Sequence, residues 1–299
     1  MLSRLAEKLY SNAYLLLFLT ALFWAGNFVL GRGIHESIPP IALAWTRWFF
    51  ATAIILPFAI PHLKRDWPLI RANLPILIFF GVIGVGAFNT LSYTGLNHTT
   101  ALNALVMQSS GPVIIVVASF LIFGDQISMR QALGITISLM GVLVMVARGE
   151  LDVLGGFELN RGDLWILSAL ALWGLYTACL RLRPPIHWLS FIAATFFIAL
   201  AINTPFFVWE HMYVRQLRFD AQTFAAILYV SIFPSVLAYI CFNRSVELIG
   251  ANRAGVCLHL VPLFGAVLAI TLLGEEPRTY HYIGIALILT GVTMAARKG

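Results

Sequence analysis

The second half of this chain repeats the first at a fixed offset of 150 residues. Between residues 101–149 and 251–299 the repeat needs no gap, and it pairs Pro112, Gly124, Asp125, Gly134, Gly141 and Gly149 with Pro262, Gly274, Glu275, Gly284, Gly291 and Gly299. If each half holds an odd number of membrane spans, the first copy ends on the opposite side of the bilayer and the second inserts upside down. Many secondary transporters are built from such inverted repeats, with the substrate site where the halves meet.

The composition is that of a helical membrane protein. Of the 299 residues, 60% are hydrophobic and only 11% are charged, against roughly 25% charged in an average soluble domain. Apolar runs of about 18 to 25 residues recur along the chain, each long enough to cross a hydrocarbon core of roughly 30 Å. The sequence therefore predicts an all-α polytopic membrane protein.

Ten apolar runs predict ten transmembrane helices, arranged as two inverted five-helix repeats. They lie near residues 13–31, 40–60, 74–96, 99–123, 130–148, 163–181, 186–209, 222–246, 251–273 and 280–296. Residues 1–148 form the first repeat, opened by a short interfacial segment over residues 1–12. Residues 149–162 link the repeats, and residues 163–299 form the second, inverted repeat.

The basic residues carry a topology signal. The formal net charge is +6, but Lys and Arg concentrate in loops, which is typical of membrane topology rather than of nucleic-acid binding. The side that holds the N-terminus carries roughly twice as many of them as the other side. We therefore expect both termini in the cytoplasm.

Two prolines near the middle of spans 4 and 9 predict hinges. Pro112 and Pro262 lack an amide hydrogen and clash with the carbonyl four residues earlier, so each helix should bend there. One interpretation is that both kinks act in gating and offer free carbonyls to a substrate. The other is that membrane helices tolerate proline for packing alone.

Polar and aromatic residues fall on one face of several predicted spans, and we expect these faces to line a central cavity. Aromatic faces stack on flat groups and amides fix orientation, so the lining suits a largely apolar substrate with a few polar groups. For Trp24 and Trp173 the alternative is an interfacial aromatic belt. The candidate substrate-binding residues are Trp24, Asn27, Asn89, Tyr93, Asn103, Met107, Gln108, Ser110, Trp173, Tyr176, Thr177, Tyr239, Asn243 and His259.

Ionisable groups inside the predicted spans are few. No Asp or Glu falls in the middle of a span, which argues against an antiporter that exchanges a cation for protons at one buried carboxylate. His259 could relay a proton, bind a carboxylate, or pack as a hydrogen-bonded neutral side chain. Arg47 has two interpretations: a shallow side chain that snorkels outward, or a partner for an anionic substrate.

Motifs of catalysis do not point to an enzyme. The sequence contains no GxSxG, Walker A, HExxH or CxxC pattern, and no pair of acids flanks a candidate site. We therefore expect no catalytic residue, no metal ligand and no cofactor.

With these features the chain resembles the drug/metabolite transporter superfamily, and within it the ten-helix EamA-type exporters. Gly124–Asp125, Gly274–Glu275, the glycines that follow them, the two hinge prolines and residues 23–27 carry the resemblance. It implies a cavity surrounded by helices 1, 3, 4, 6, 8 and 9, and a place among bacterial inner-membrane exporters of aromatic amino acids and related metabolites. The small multidrug members use a glutamate in their first helix; Trp24 and Asn27 stand in that region here, so that mechanism is not carried over.

We therefore expect a secondary-active, alternating-access transporter that exports small amphipathic metabolites, foremost aromatic and other neutral amino acids. Its partners would be a small-molecule substrate and the lipid bilayer, with no nucleic acid, and a monomer would suffice. One alternative is a transporter of nucleotide sugars or phosphorylated compounds, which would need at least two basic residues in the cavity. The others are a channel and a non-transporting membrane enzyme or receptor.

Overall fold

The computed structural model describes residues 10–147, 160–249 and 260–296, and throughout these ranges the regular structure is helical. We number the helices in the order of the predicted spans. They are α1 (Ala13–Gly33), α2 (Pro40–Ala72), α3 (Leu74–Phe80, Gly81–Ala87 and Phe88–Leu96), α4 (Ala101–Gln108 and Gly111–Phe123), α5 (Met129–Val146), α6 (Arg161–Cys179), α7 (Trp188–Tyr213), α8 (Ala221–Ser231, Ile232–Leu237 and Ala238–Ile249), α9 (Leu260–Leu273) and α10 (Thr279–Ala296).

Several of these helices can cross a membrane. Within the described ranges, six are long and apolar enough, namely α1, α2, α3, α6, α7 and the first 22 residues of α8. The two parts of α4, bent by 50°, make a seventh if they count as one span, and Met129–Met145 and Leu260–Leu273 are shorter apolar helices. The protein is therefore a polytopic, all-helical membrane protein.

The two halves of the chain pack on each other in a reciprocal pattern. Helix α1 packs on α8 and α9, and its counterpart at the repeat offset, α6, packs on α3 and α4. The helices α2, α4 and α5 each pack on their own counterparts α7, α9 and α10. The main apolar core lies between α1, α3, α4, α6 and α9.

The contact between α2 and α7 shows their relative direction. At the start of α2, the amides of Ile41 and Ala42 donate to the Glu210 carboxylate at the end of α7, at 3.2 and 2.7 Å. At the start of α7, the His187 amide and the Ser190 hydroxyl donate to Asp66 near the end of α2, both at 2.8 Å. The two helices therefore run antiparallel, and an acidic side chain of each accepts hydrogen bonds from free amides at the start of the other.

Glycines bring α5 and α10 together in the same reciprocal way. A β-carbon at Gly141 would lie 2.9 Å from the carbonyl oxygen of Gly284, and one at Gly291 would strike the carbonyl oxygen of Gly134. The repeat offset turns the first pair into the second. Helices α5 and α10 are therefore antiparallel as well, with backbones too close for a side chain at the crossing.

Helices α3 and α8 share a feature that the sequence did not predict. Each contains a π-helical segment, Gly81–Ala87 in α3 and Ile232–Leu237 in α8, at equivalent positions of the repeat. Pro234 lies in the second and cannot donate an amide, whereas the first contains three glycines. A π-helical turn leaves backbone groups without their usual partners, and such turns occur frequently at functional sites.

Two predicted spans differ from the observed helices. The predicted span over residues 40–60 is part of the longer α2, whose continuation to Ala72 places Asp66 in the interior beside α7. The predicted bend of a continuous helix at Pro112 is instead a break, since the first part of α4 ends at Gln108. Pro112 lies in the first turn of the second part, where its missing amide hydrogen costs no helical hydrogen bond.

Some predictions fall outside the described residues. They are the interfacial segment over residues 1–12, except its last three residues, most of the linker at 149–162, and the candidate site residue His259.

Candidate functional site

Arg47 lies at the centre of a buried polar network. The residue is only 2% exposed, so of its two interpretations the one in which the side chain snorkels outward is wrong. Nε donates to Ser235 Oγ at 2.6 Å, and Nη1 lies 3.0 Å from Asn27 Oδ1 and 2.6 Å from Asn89 Oδ1. Nη1 also lies 2.8 Å from Tyr93 Oη, whose hydroxyl donates to Asn27. We call these five residues the Arg47 network.

The π-helical segment of α8 contributes two of the groups that contact Arg47. Ser235 accepts from Arg47 and donates to the carbonyl of Val230, five residues earlier in the widened turn. The carbonyl of Pro234 lies 3.4 Å from Arg47 Nη2 and 3.0 Å from Trp24 Nε1. The irregular turn therefore offers backbone and side-chain oxygen to a cation deep within the bundle.

The positive charge of Arg47 has no acidic partner among the residues that the structure describes. All of its hydrogen-bond acceptors are neutral oxygens. Pro40 and Pro57 of α2 match Pro185 and Pro205 in the other repeat, so Arg47 corresponds to residues 192–195 of α7. These read Ile-Ala-Ala-Thr, and the second repeat supplies no matching cation there. An ionisable residue inside a membrane bundle that lacks a countercharge is a candidate for contact with a substrate.

An aromatic cluster from both halves adjoins the Arg47 network. Ring centroids of Trp24 lie 6.1 Å from Trp173, 6.1 Å from Tyr239 and 5.5 Å from Phe242. Trp173 stacks on Tyr176 at 5.2 Å. Trp24 and Trp173 are partly exposed, whereas Tyr176 and Tyr239 are buried. Seven of the predicted site residues are therefore brought together with Arg47, namely Trp24, Asn27, Asn89, Tyr93, Trp173, Tyr176 and Tyr239.

The predicted residues of α4 occupy other places. Asn103 Oδ1 accepts from His281 Nε2, 2.9 Å away on α10, and Met107 is buried in the main core. The Ser110 hydroxyl donates to the Met107 carbonyl across the helix break. Gln108 Oε1 and Ser109 Oγ, beside the break, are buried and have no hydrogen-bond partner among the residues that the structure describes.

The structure shows few contacts for the remaining predicted site residues. Thr177 Oγ1 donates to the Trp173 carbonyl within its own helix. Pro262 is buried near the start of the described part of α9. The side chains of Asn243 and Pro112 and the whole of His259 lie outside the description.

The repeated Gly–acid motif marks a second polar site that the sequence did not assign. Glu275, which follows α9, accepts from the amides of Ala101 and Leu102 at the start of α4, both at 2.8 Å. Its repeat counterpart Asp125 instead pairs with Arg181 at 2.6 Å, and that hydrogen bond holds the pKa of the exposed Asp125 carboxyl below its ordinary value. The two equivalent acids thus have different kinds of partner.

Comparison with known proteins identifies the family. The model of the EamA-like transporter family matches residues 11–147 and again residues 160–297. The chain belongs to the EamA-like transporter family.

Relatives that match almost the whole chain are named as transporters. An uncharacterized transporter of Bacillus subtilis, YyaM, is 25% identical over 95% of this chain and 93% of its own length. An uncharacterized transporter of Archaeoglobus fulgidus is 27% identical, over 96% of this chain and 98% of its own. A solved crystal structure, 20% identical in sequence, shares the fold with a TM-score of 0.64 and covers 95% of this chain and 96% of the other.

Membership of this family makes the protein a multi-pass membrane transporter built from two EamA halves, and not an enzyme. A transporter has a small-molecule substrate. The geometry concentrates buried polarity, charge and aromatic rings where the two EamA halves meet.

Proposed function

We propose that this EamA transporter exports aromatic and other neutral amino acids by alternating access. The carrying observation is the aromatic cluster of Trp24, Trp173, Tyr239 and Phe242, which joins both halves beside the buried Arg47 network. Aromatic faces suit a flat side chain, and a few fixed polar groups suit the amino acid backbone.

The proposed architecture is ten transmembrane helices in two inverted five-helix repeats, residues 1–148 and 163–299, joined by a linker over residues 149–162. Its support is the antiparallel packing of α2 on α7 and of α5 on α10. Helices at equivalent positions of the two halves point in opposite directions in both pairs. An in-plane two-fold relation of this kind places the substrate site at the repeat interface.

The proposed orientation has both termini in the cytoplasm of a bacterial inner membrane. The excess of Lys and Arg on the side of the N-terminus supports it. In this orientation the contact of Glu275 with the start of α4 lies at the outer surface, and Asp125 lies at the inner surface. In the described conformation, Glu275 then holds the start of α4 and the end of α9 together at the outer surface.

The break in α4 is the proposed hinge of the first repeat, with Pro262 in the corresponding role in the second. Between Gln108 and Gly111 the helix is interrupted and its direction changes by 50°. The unpaired Gln108 and Ser109 oxygens at this break are available to a polar group of the substrate. Movement at such a break changes the access of the site without unfolding either half.

The principal rival substrate class, phosphorylated compounds and nucleotide sugars, is less favoured. A phosphate group carries up to two negative charges at neutral pH, and its recognition calls for more than one cation. Arg47 is the only Lys or Arg that is buried in the described part of the chain.

Flux into proteoliposomes tests the proposal. Purified protein in liposomes should move labelled phenylalanine faster than empty liposomes, and unlabelled phenylalanine on the far side should accelerate exchange, as expected for a carrier rather than a channel. Replacement of Trp24 by Ala should lower kcat/KM by about 10-fold, because one aromatic contact contributes about 1 kcal/mol or more.

A matched control is Trp67→Ala, since Trp67 lies near the end of α2, away from the aromatic cluster, and is 55% exposed. Its flux should equal that of the unaltered protein. Absence of carrier-mediated flux for phenylalanine, tryptophan and threonine alike would refute the proposed function.

A further inference from the structure

We propose that Arg47 is the receptor for a single carboxylate of the substrate, so that the transported class is that of aromatic and apolar monocarboxylates, amino acids included. This inference deepens the proposed function and rests on it for the location of the transport site.

A guanidinium has five N–H groups, and Arg47 uses them unevenly. Nε is taken by Ser235, and the two hydrogens of Nη1 face three close oxygens, those of Asn27, Asn89 and Tyr93. Nη2, with two hydrogens, has a single described contact at 3.4 Å, to the carbonyl of Pro234. The donor capacity that remains is therefore concentrated at one corner of the group.

That corner points toward the aromatic cluster. The Pro234 carbonyl that lies 3.4 Å from Nη2 also accepts the indole N–H of Trp24, at 3.0 Å. Trp24 in turn contacts the rings of Trp173 and Tyr239. A carboxylate hydrogen-bonded to Nη2 would therefore place its attached hydrocarbon or ring against the same tryptophan.

The charge balance selects the kind of anion. The neutral oxygens around Arg47 hold the guanidinium in position but leave its charge uncompensated, which is costly in a medium of low dielectric constant. One carboxylate neutralises one guanidinium, and the second repeat adds no buried cation at residues 192–195. A dianion would leave a net negative charge among Tyr93, Asn27 and Asn89, so the site is matched to a single carboxylate group.

The test compares matched ligands on the unaltered protein in mild detergent. Phenylalanine and 3-phenylpropionate carry the carboxylate, whereas phenethylamine and phenylalaninamide carry the same ring without it. A ligand that binds the folded state raises its thermal unfolding temperature. We expect the two carboxylates to raise it and the two others, at the same concentration, to leave it unchanged.

Variants then assign the effect to the guanidinium. Arg47→Gln should bind 3-phenylpropionate about 10- to 100-fold more weakly, the range expected for loss of a hydrogen bond to a charged group. Arg47→Lys, which keeps the charge without the planar guanidinium, should bind 3-phenylpropionate with an affinity between those of Arg47→Gln and the unaltered protein. Arg71→Gln removes an exposed arginine at the end of the same helix and should bind as the unaltered protein does. If Arg47→Gln does not fold, the comparison of ligands on the unaltered protein decides.

The outcomes separate the two proposals. If phenylalanine is transported but phenethylamine competes with it as well as 3-phenylpropionate does, the carboxylate inference is wrong and the proposed function stands. If 3-phenylpropionate binds through Arg47 but no amino acid is transported, the proposed function is wrong, and the assignment of Arg47 as the receptor for a carboxylate stands. Binding of no carboxylate in the panel would overturn the inference.

Discussion

Replacement of Glu210 should destabilise the protein far more than replacement of an ordinary helix cap. Helix α2 begins at Pro40, which has no N–H, and the next two amides, of Ile41 and Ala42, both donate to the Glu210 carboxylate. The residue is 3% exposed, so water cannot take over these bonds. Glu210→Ala would leave two buried donors without a partner.

The magnitude follows from these two bonds. A hydrogen bond to a charged group contributes about 1.5–3 kcal/mol, and the bond of Ile41, at 3.2 Å, is the weaker of the two. We expect Glu210→Ala to lower the free energy of unfolding by about 3–5 kcal/mol. Glu210→Gln keeps one acceptor and should lower it by about half as much.

The control is Asp220→Ala. Asp220 caps α8 by accepting from the Thr223 amide at 2.7 Å, and it is exposed, so its loss should cost about 1 kcal/mol. The free energy of unfolding can be followed by tryptophan fluorescence of the purified protein in mixed micelles titrated with a denaturing detergent. Equal destabilisation by Glu210→Ala and Asp220→Ala would refute the reasoning.

Two further predictions concern the helix packing and the inner surface. Gly84→Ala should destabilise the protein by about 1–3 kcal/mol and lower flux, since its β-carbon would strike the ring of Tyr176. The control is Gly111→Ala, whose β-carbon would have nothing within 4 Å. It should change the stability by less than about 1 kcal/mol. Because the pKa of Asp125 is lowered by its hydrogen bond with Arg181, the ion pair contributes above the ordinary value of 3.8 and is lost as pH falls through the lowered pKa. Unfolding curves at a series of pH values should show a small loss of stability in that acidic window for the unaltered protein and none for Asp125→Asn; an identical pH profile for both would contradict this.

The sequence was sufficient for the helical membrane architecture and for most of the central residues. Hydrophobic runs and the repeat offset depend on composition and position alone, so they can be detected in one chain. The four-residue spacing of Asn89 and Tyr93 likewise predicted a common face, and the structure places both on Arg47.

The importance of Arg47 could not be derived in the same way. Helix α2 begins at Pro40, as the sequence predicts, so Arg47 is the eighth residue of the helix in either interpretation. Whether its side chain reaches outward or stays buried depends on the groups that α1, α3 and α8 place around it. Only the tertiary packing shows those contacts.

The π-helical segments were also beyond the sequence patterns. A π-turn shifts the register of a helix by one residue, and an apolar run around Gly84 or Pro234 is as compatible with an ordinary α-helix. The equivalent positions of the two segments follow from the repeat, so a hint in one half predicts the other. This symmetry is the part of the site geometry that a duplicated sequence can supply.

Accessibility labelling of residues 130 and 278 tests the inverted two-fold arrangement most directly. These residues lie at the starts of α5 and α10, which pack antiparallel. Single cysteines at Arg130 and Arg278, in a chain whose three native cysteines are replaced, are exposed to a membrane-impermeant maleimide in intact cells. We predict rapid labelling at 278 and labelling at 130 only after the membrane is permeabilised. Labelling of both positions from the same side would contradict the inverted repeat, and with it the proposed transport site between the halves.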